Sequence, residues 1–238
     1  MHPLLRALAP IPAIVAIMTA LAPGWGAPPA GNSLAAVFAL MDEAAAKFKG
    51  LQADMQELSH TAVINEDSIS AGTITVKRPK PYDIRALIDF QPPNPRKVMI
   101  SGVKVDIYYP GINTVQEYNM GKSRSLVEQV MLLGFGSNSR DLESAYSSRL
   151  GGPETVAGQK ATRIELIPKS PDVLAHLKRV DLWISDTMGI AVQQKLFETG
   201  GDYLLATYTN IKLRPNLPDS AVKLDLPKSV KREYPQKP

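Results

Sequence analysis

The sequence has no cysteine and few aromatic residues, and both absences limit what the protein can be. None of the 238 residues is cysteine, and 6% are aromatic. The chain can therefore form no disulfide, and it cannot be lipidated on a cysteine as bacterial lipoproteins are. With 44% hydrophobic and 21% charged residues it has the composition of a globular protein, which must fold on its hydrophobic core alone.

The sequence motifs of common enzyme classes are missing as well. The three histidines, His2, His60 and His176, have no metal-ligand spacing, and the carboxylates are scattered. There is no Gly-x-Ser-x-Gly elbow, no complete phosphate-binding loop and no dinucleotide fingerprint. Basic residues do not cluster among aromatics as nucleic-acid binding would require. We therefore expect no enzyme, cofactor, metal site or nucleic-acid partner, while a site assembled from distant residues stays open.

The N-terminus has the layout of a secretory signal peptide. Arg6 supplies a positive charge, the apolar run 13–21 is too short to span a bilayer, and small residues up to Ala27 offer cleavage sites. We expect residues 1–27 to be removed and residues 28–238 to form one soluble domain in a bacterial periplasm. An uncleaved anchor or a disordered leader is the open alternative.

Three stretches predict amphipathic helices. The first follows a capping residue, Asn32 or Ser33, has apolar residues at spacings of three and four, and ends at Gly50. Two shorter stretches lie at about 125–135 and 139–148. Because helices this short are marginal by themselves, we expect both to dock on an apolar surface.

Most of the remaining chain alternates apolar and polar residues, as half-buried strands do. The alternation runs from Leu51 to Tyr118 and resumes beyond the short helices, and Val222, Leu224 and Leu226 predict a last strand. Strands joined by tight turns form an antiparallel meander with one covered face, and a wide sheet of this kind curls. We therefore predict an α+β fold with a single curved antiparallel sheet, an incomplete β-barrel, whose concave apolar face is capped by helices.

Three stretches along the chain carry recognisable motifs. The first is Gly72–Pro79 followed by Tyr82–Arg85, with a Lys-Arg-Pro motif at the end of a strand. The second is Met99–Pro110, where a strand, a turn at a glycine and another strand end in proline, and the third extends from Asp186 to Val230. In this order the three stretches resemble the LolA family of periplasmic lipoprotein carriers. With the first helix, the resemblance covers nearly the whole mature chain.

The resemblance implies an apolar cavity between the sheet and the helices that close it. The cavity would be lined by Ile74, Val76, Tyr82, Ile84, Ala86, Ile88, Val98, Ile100, Val103, Val105, Ile107, Val180, Leu182 and Ile184. The helices of the lid would carry Leu126, Val130, Leu133, Leu142 and Tyr146. An ordinary packed core is the alternative, because protein interiors are close-packed.

The family's motif arginine corresponds to Arg78 in this sequence. The resemblance implies that Arg78 hydrogen-bonds the lid and helps to hold it shut. By the period of two, Arg78 points to the same side as Ile74 and Val76, where a guanidinium needs acceptors. An arginine whose stem packs while its head reaches water is the alternative.

The resemblance also implies a function. Members of the family take lipoproteins from an inner-membrane exporter and pass them to an outer-membrane acceptor. We therefore expect a monomeric, non-enzymatic periplasmic carrier of acyl chains. A lipid-sensing or glycolipid-binding regulatory module of the same fold, which transfers no lipoprotein, is the alternative. The cargo stays open because the inward positions are aliphatic rather than rich in tryptophan.

Overall fold

The computed structural model describes residues 33–80, 83–119 and 133–235 of the chain. Three α-helices and one twelve-stranded sheet lie in these ranges, and none of their helices is long and apolar enough to cross a membrane. The predicted signal peptide, Tyr82 and the greater part of the predicted helix at 125–135 lie outside the described residues.

Helix α1 (Leu34–Lys47) begins where the sequence predicts it. The Ser33 hydroxyl accepts a hydrogen bond from the amide of Ala36, which satisfies one of the free amides of the first turn. Phe48 has extended backbone angles and ends the helix. The buried side of α1 consists of Val37, Phe38, Met41 and Ala45, at helical spacing.

The twelve strands form one open sheet in the order β12-β6-β5-β4-β3-β2-β1-β11-β10-β9-β8-β7. The strands are β1 (Gly50–Thr61), β2 (Glu66–Lys80), β3 (Asp83–Phe90), β4 (Arg96–Ser101), β5 (Lys104–Tyr109), β6 (Thr114–Asn119), β7 (Tyr146–Val156), β8 (Gln159–Pro168), β9 (Leu177–Ser185), β10 (Ala191–Glu198), β11 (Tyr203–Leu213) and β12 (Lys231–Glu233). Every neighbouring pair is antiparallel except β12 with β6. Because the edge strands β7 and β12 do not pair, the barrel is incomplete, which confirms the predicted fold class.

The two remaining α-helices are short. Helix α2 (Ser139–Ala145) follows the N-cap Asn138, and helix α3 (Pro171–Leu174) lies between β8 and β9. The predicted helix at 139–148 is therefore too long, since Tyr146 has extended backbone angles and pairs with Pro168 as the first residue of β7. Apolar residues at this boundary fit the buried face of a helix or of a strand equally well, so the sequence did not place the end.

We call the side of the sheet on which α1 packs the inner face. Residues directly opposite in antiparallel strands point to the same face, and the register aligns Leu51, Val76 and Ala86 there. Two buried clusters occupy this face. One lies under α1 on β8 and β9 and includes Phe38 and Leu182. The other lies on β1, β2 and β3.

A C-terminal segment crosses the opposite, outer face. The Lys77 ammonium bonds the Asp219 carboxylate at 2.5 Å, and further along the Asn113 side chain donates to the carbonyl of Ser229 at 3.1 Å. Residues 219–222 of this segment lie against β2 and β3. The chain thereby covers part of the outer face with its own end.

The predicted last strand through Val222, Leu224 and Leu226 is wrong. Val222 ends a 3-10 helix and is buried, whereas the other two residues are half-buried in an extended segment without a strand partner. Alternation of apolar and polar residues shows only that one side of a segment is buried. Here the apolar side chains pack on the outer face of the sheet, and the segment does not pair with a neighbouring strand. Residues 231–233 pair with β6 instead.

Gly72 gives a test of how tightly β2 and β3 are paired. A Cβ at this position would overlap the carbonyl oxygen of Asp89, which is main chain and cannot turn aside. We expect Gly72→Ala to lower the free energy of unfolding by about 1–3 kcal/mol, the usual cost of forced overpacking. Urea denaturation measures the change.

Gly111→Ala is the matched control, because a Cβ there meets nothing within 4 Å. It should leave the urea midpoint within the range of an ordinary surface substitution. Equal effects of the two variants would contradict the close approach of β3 to β2.

Candidate functional site

The inner face is closed at its centre by residues 133–139, which we call the plug. Three hydrogen bonds hold its main chain against the sheet: the amide of Ala191 donates to the carbonyl of Gly134 at 2.9 Å, the side chain of Gln194 donates to the carbonyl of Leu133, and Arg78 donates to the carbonyl of Gly136. These contacts satisfy carbonyls that no strand or helix partner would otherwise meet.

The far end of the plug is fastened to α1. Asp42 accepts hydrogen bonds from the amide and the hydroxyl of Ser139, at 2.6 and 2.7 Å. Ser139 is also the first residue of α2, so the carboxylate lies at the start of that helix, where free amides favour a negative charge. The plug is thus bonded to the helix as well as to the sheet.

Apolar side chains of the plug fill the hollow beneath it. Leu133 and Phe135 are buried, and the Phe135 ring packs edge-to-face on Tyr208 with ring centres 4.9 Å apart. Gly134 lies at φ +91°, and a Cβ there would overlap the side chain of Ala191. Only glycine allows the plug to approach β10 this closely.

Arg78 connects three elements at one end of the inner face. Its guanidinium donates to the carbonyls of Ala45 and Phe48 at the end of α1 and, at 2.8 Å, to the carbonyl of Gly136 in the plug. It also lies over the Phe48 ring, 5.4 Å from its centre. The last carbonyls of a helix have no partner within the helix, and Arg78 supplies one. Burial lowers the pKa of Arg78, since desolvation disfavours the charged form.

A second arginine lies on the inner face near the other end of β2, and the sequence analysis missed it. Arg96 bonds the Glu57 carboxylate at 2.8 Å and the Ser70 hydroxyl at 3.2 Å, and its guanidinium lies 3.8 Å from the centre of the Phe90 ring. Burial raises the pKa of Glu57, and the charge of Arg96 opposes this effect. Nothing in the spacing of these residues predicts the group, because they come from four strands.

The predicted cavity residues divide into packed and half-exposed sets. Val180, Leu182 and Ile184 lie in the cluster under α1, and Ile74, Val76, Ile84, Ala86 and Ile100 are also buried. Except for Ile100, these buried side chains belong to the two buried clusters of the inner face. Of the predicted lid residues, Leu133, Leu142 and Tyr146 are buried in the same cluster as Leu182. Tyr82, Leu126 and Val130 lie outside the described residues.

Four of the predicted residues form a half-exposed surface, which we call the inner strip: Ile88, Val98, Val105 and Ile107. Cross-strand register aligns Ile88, Val98 and Ile107 in one row over β3, β4 and β5. Val105 and Ile107 belong to neither buried cluster. Val103 does not extend the strip, because it lies in the turn between β4 and β5 and not in a strand as predicted.

The described residues offer no metal centre. No group of three or more His, Asp or Glu side chains among them could hold a metal ion. They do provide an apolar face with a half-buried arginine near each end of β2, and a plug that is hydrogen-bonded over part of this face. Such a surface suits binding of apolar groups.

These features define the class of the protein: an α+β fold with one open sheet whose inner apolar face is covered by a helix and a bonded plug. No protein-family model matches the chain, and no curated protein sequence matches it. Among solved structures, an uncharacterized conserved protein from Thermus thermophilus is similar to it over 85% of this chain and 99% of that one, with a TM-score of 0.51 and 14% identity. This likeness shows a shared fold.

Two further similar structures belong to a LolA superfamily protein and to a MucA/MucB complex. A LolA superfamily protein from Nitrosomonas europaea has a TM-score of 0.40 at 11% identity, covering 80% of this chain and 97% of that one. MucB in the MucA/MucB complex of Pseudomonas aeruginosa has a TM-score of 0.45 at 15% identity, and the chain spans 61% of its length while 82% of the chain is covered. The neighbours thus include LolA-like folds, as the sequence resemblance predicted.

Arg78 can be tested as the connection between α1, β2 and the plug. Replacement by leucine would leave the carbonyls of Ala45, Phe48 and Gly136 without this donor, at a cost of about 1–3 kcal/mol for buried groups. We expect Arg78→Leu to speed hydrogen exchange at the amides of Ser139 and Ala191, which are bonded within or against the plug.

Arg85→Leu is the control, because Arg85 lies on the neighbouring strand and bonds Asp83 on the outer face. Arg85→Leu should leave the hydrogen-exchange rates of the Ser139 and Ala191 amides equal to those of the unchanged protein. Protection that survives Arg78→Leu would show that the plug is held without this arginine.

Proposed function

We propose that this protein is a periplasmic carrier that binds acyl chains on its inner face, and that the inner strip is the surface on which they lie. The observation that carries the proposal is the half-exposure of four aliphatic side chains in adjacent strands beside a covered apolar face. A contiguous apolar surface on a protein often marks a binding site.

The energetics of such a surface suit hydrocarbon tails. Each methylene that moves from water to an apolar surface gains about 0.8 kcal/mol, so a long chain binds well without any specific polar contact. Aliphatic side chains such as those of the strip discriminate little between tails of different shape. This matches a carrier for varied acyl chains rather than a receptor for one small molecule.

The plug supplies a way to enlarge the surface. Its main chain is held by separate hydrogen bonds from Arg78, Ala191 and Gln194 and not by a ladder. Breaking a few such bonds would uncover Tyr208 and the apolar residues beneath Phe135. In the proposal Arg78 therefore holds the plug closed over the inner face until an acyl chain binds, as the resemblance implies for the lid.

The cargo in this proposal is the acyl part of lipoproteins, taken from an inner-membrane exporter and delivered to an outer-membrane acceptor. The supports are the stretches Gly72–Pro79 and Met99–Pro110, which resemble the LolA family, and the signal-peptide layout of residues 1–27. The carrier acts as a monomer without a cofactor and without catalysis.

One observation favours a second candidate, a lipid-sensing or glycolipid-binding regulatory module. The inner face under α1 is packed by Phe38, Met41 and Leu182, which leaves less room than a carrier of several tails would use. A sensor needs to hold only one ligand and to change its surface when the ligand is bound.

Two neighbouring positions of β4 test the inner strip. Val98 points to the inner face and Met99 to the outer face, and both are half-buried. We expect Val98→Asp to weaken saturable binding of an uncharged fluorescent fatty-acyl ester probe at least about tenfold, because a carboxylate on the strip must be desolvated when a tail covers it. Fluorescence titration of the mature protein gives the dissociation constant.

Met99→Asp introduces the same charge on the same strand and should bind the probe as the unchanged protein does. Thermal unfolding of both variants shows whether either has lost its fold. Absence of saturable binding, or equal loss in the two variants, would refute the proposed surface.

Transfer separates the two candidates. Donor vesicles that contain a labelled diacyl lipopeptide and unlabelled acceptor vesicles are mixed with the protein, and movement of label is followed over time. A carrier speeds transfer in proportion to its concentration. A sensor binds the lipopeptide and leaves the transfer rate unchanged.

A further inference from the structure

We propose that a second cavity, at the C-terminal end of α1, binds a single-chain anionic amphiphile such as a long-chain carboxylate. This rim pocket has a volume of about 430 Å³, within the range of small-molecule sites, roughly 300–1,000 Å³. It lies between α1, the turn before β10 and the end of β11. No residue of the inner strip lines it.

The wall of the rim pocket suits a hydrocarbon tail. Its apolar lining consists of Leu40, Ala44, Phe48, Met188, Ile190, Leu213 and Pro215. The turn that forms one side is pressed against the helix, since a Cβ on Gly189 would overlap the carbonyl oxygen of Leu40. Close backbone contact of this kind fixes the shape of the pocket before a ligand arrives, which favours binding.

The charges around the pocket favour an anion. Lys47, Lys49 and Arg214 line it together with a single carboxylate, Glu43, which is already bonded to Lys47 at 2.7 Å. In the described part of the chain Lys49 has no ion-pair partner, and Arg214 bonds only the neutral side chain of Gln52. Two cations are therefore left to meet a negative head group.

Part of the negative charge at the end of α1 is already compensated. The C-terminus of a helix carries partial negative charge on its free carbonyls. Here the carbonyls of Ala45 and Phe48 accept hydrogen bonds from the Arg78 guanidinium, which compensates their partial negative charge from the inner face. The net field at the pocket is then set by the lysines and Arg214.

The test compares decanoate with decan-1-ol, which has the same tail and no charge, by titration calorimetry on the mature protein. We expect the unchanged protein to bind decanoate at least about tenfold more tightly than the alcohol. Each exposed charge pair alone contributes less than this factor, and the two cations together reach the roughly 1.4 kcal/mol that corresponds to a factor of ten. The double variant Lys49→Glu/Arg214→Glu should lose this preference. Lys178→Glu, an exposed lysine outside the pocket, should keep it.

A steric variant tests the same site without changing its charge. Thr187 is exposed at the rim, and Thr187→Trp places a large ring across the opening. We expect decanoate binding to fall while the melting temperature stays close to that of the unchanged protein. If the preference for decanoate survives in the double variant, or decanoate does not bind at all, the proposal is wrong.

Val98→Asp keeps this inference separate from the proposed function. It should leave the preference for decanoate unchanged, because the inner strip is not part of the rim pocket. Loss of decanoate binding in Val98→Asp would place the anion on the inner face and overturn the rim pocket. A fluorescent acyl probe that is insensitive to Val98→Asp would refute the inner strip and leave the rim pocket standing.

Discussion

One half-buried guanidinium bonds the first helix and the plug to the inner face of the sheet. Arg78 supplies donors to carbonyls of two elements, the end of α1 and the plug, which the bonds from Ser139 to Asp42 also connect. Main-chain carbonyls removed from water need partners, and a planar group with five N–H donors can serve several at once. Because the arginine stands on β2, the strand fixes the helix and the plug relative to the sheet.

This arrangement divides the inner face into two parts with different properties. Under α1 the side chains of Phe38, Met41 and Leu182 interlock, and such a core resists rearrangement. Over β3, β4 and β5 the inner strip stays half open. The plug is held by discrete polar bonds from Arg78, Ala191 and Gln194, and its Leu133 and Phe135 each belong to one of the two buried clusters.

The strip and the rim pocket combine apolar surface with cations in different proportions. The strip has no charged member, whereas the rim pocket has Lys49 and Arg214 at its opening. An amphiphile has two parts with opposite needs, a tail that avoids water and a head that keeps its charge solvated or paired. A protein with both kinds of surface can hold tails and charged heads at separate places.

Much of the fold and part of the site follow from residue patterns. The period of two in Ile74, Val76 and Arg78 puts all three on one face, and the structure places them there because side chains alternate along any strand. The end of α2 and the path of residues 222–227 were mispredicted, since an apolar residue at a boundary does not reveal which surface will cover it.

The sequence by itself determined most of the strands, the first helix and the side to which Arg78 points, since these depend on local periodicity and capping. Only the tertiary structure decided which apolar residues are packed and which remain half open. It also brought together Arg96, Glu57 and Ser70, and formed the rim pocket from α1, a turn and the end of β11. Contacts between residues far apart in the chain depend on how a sheet coils and where its helices settle, and no local pattern encodes that.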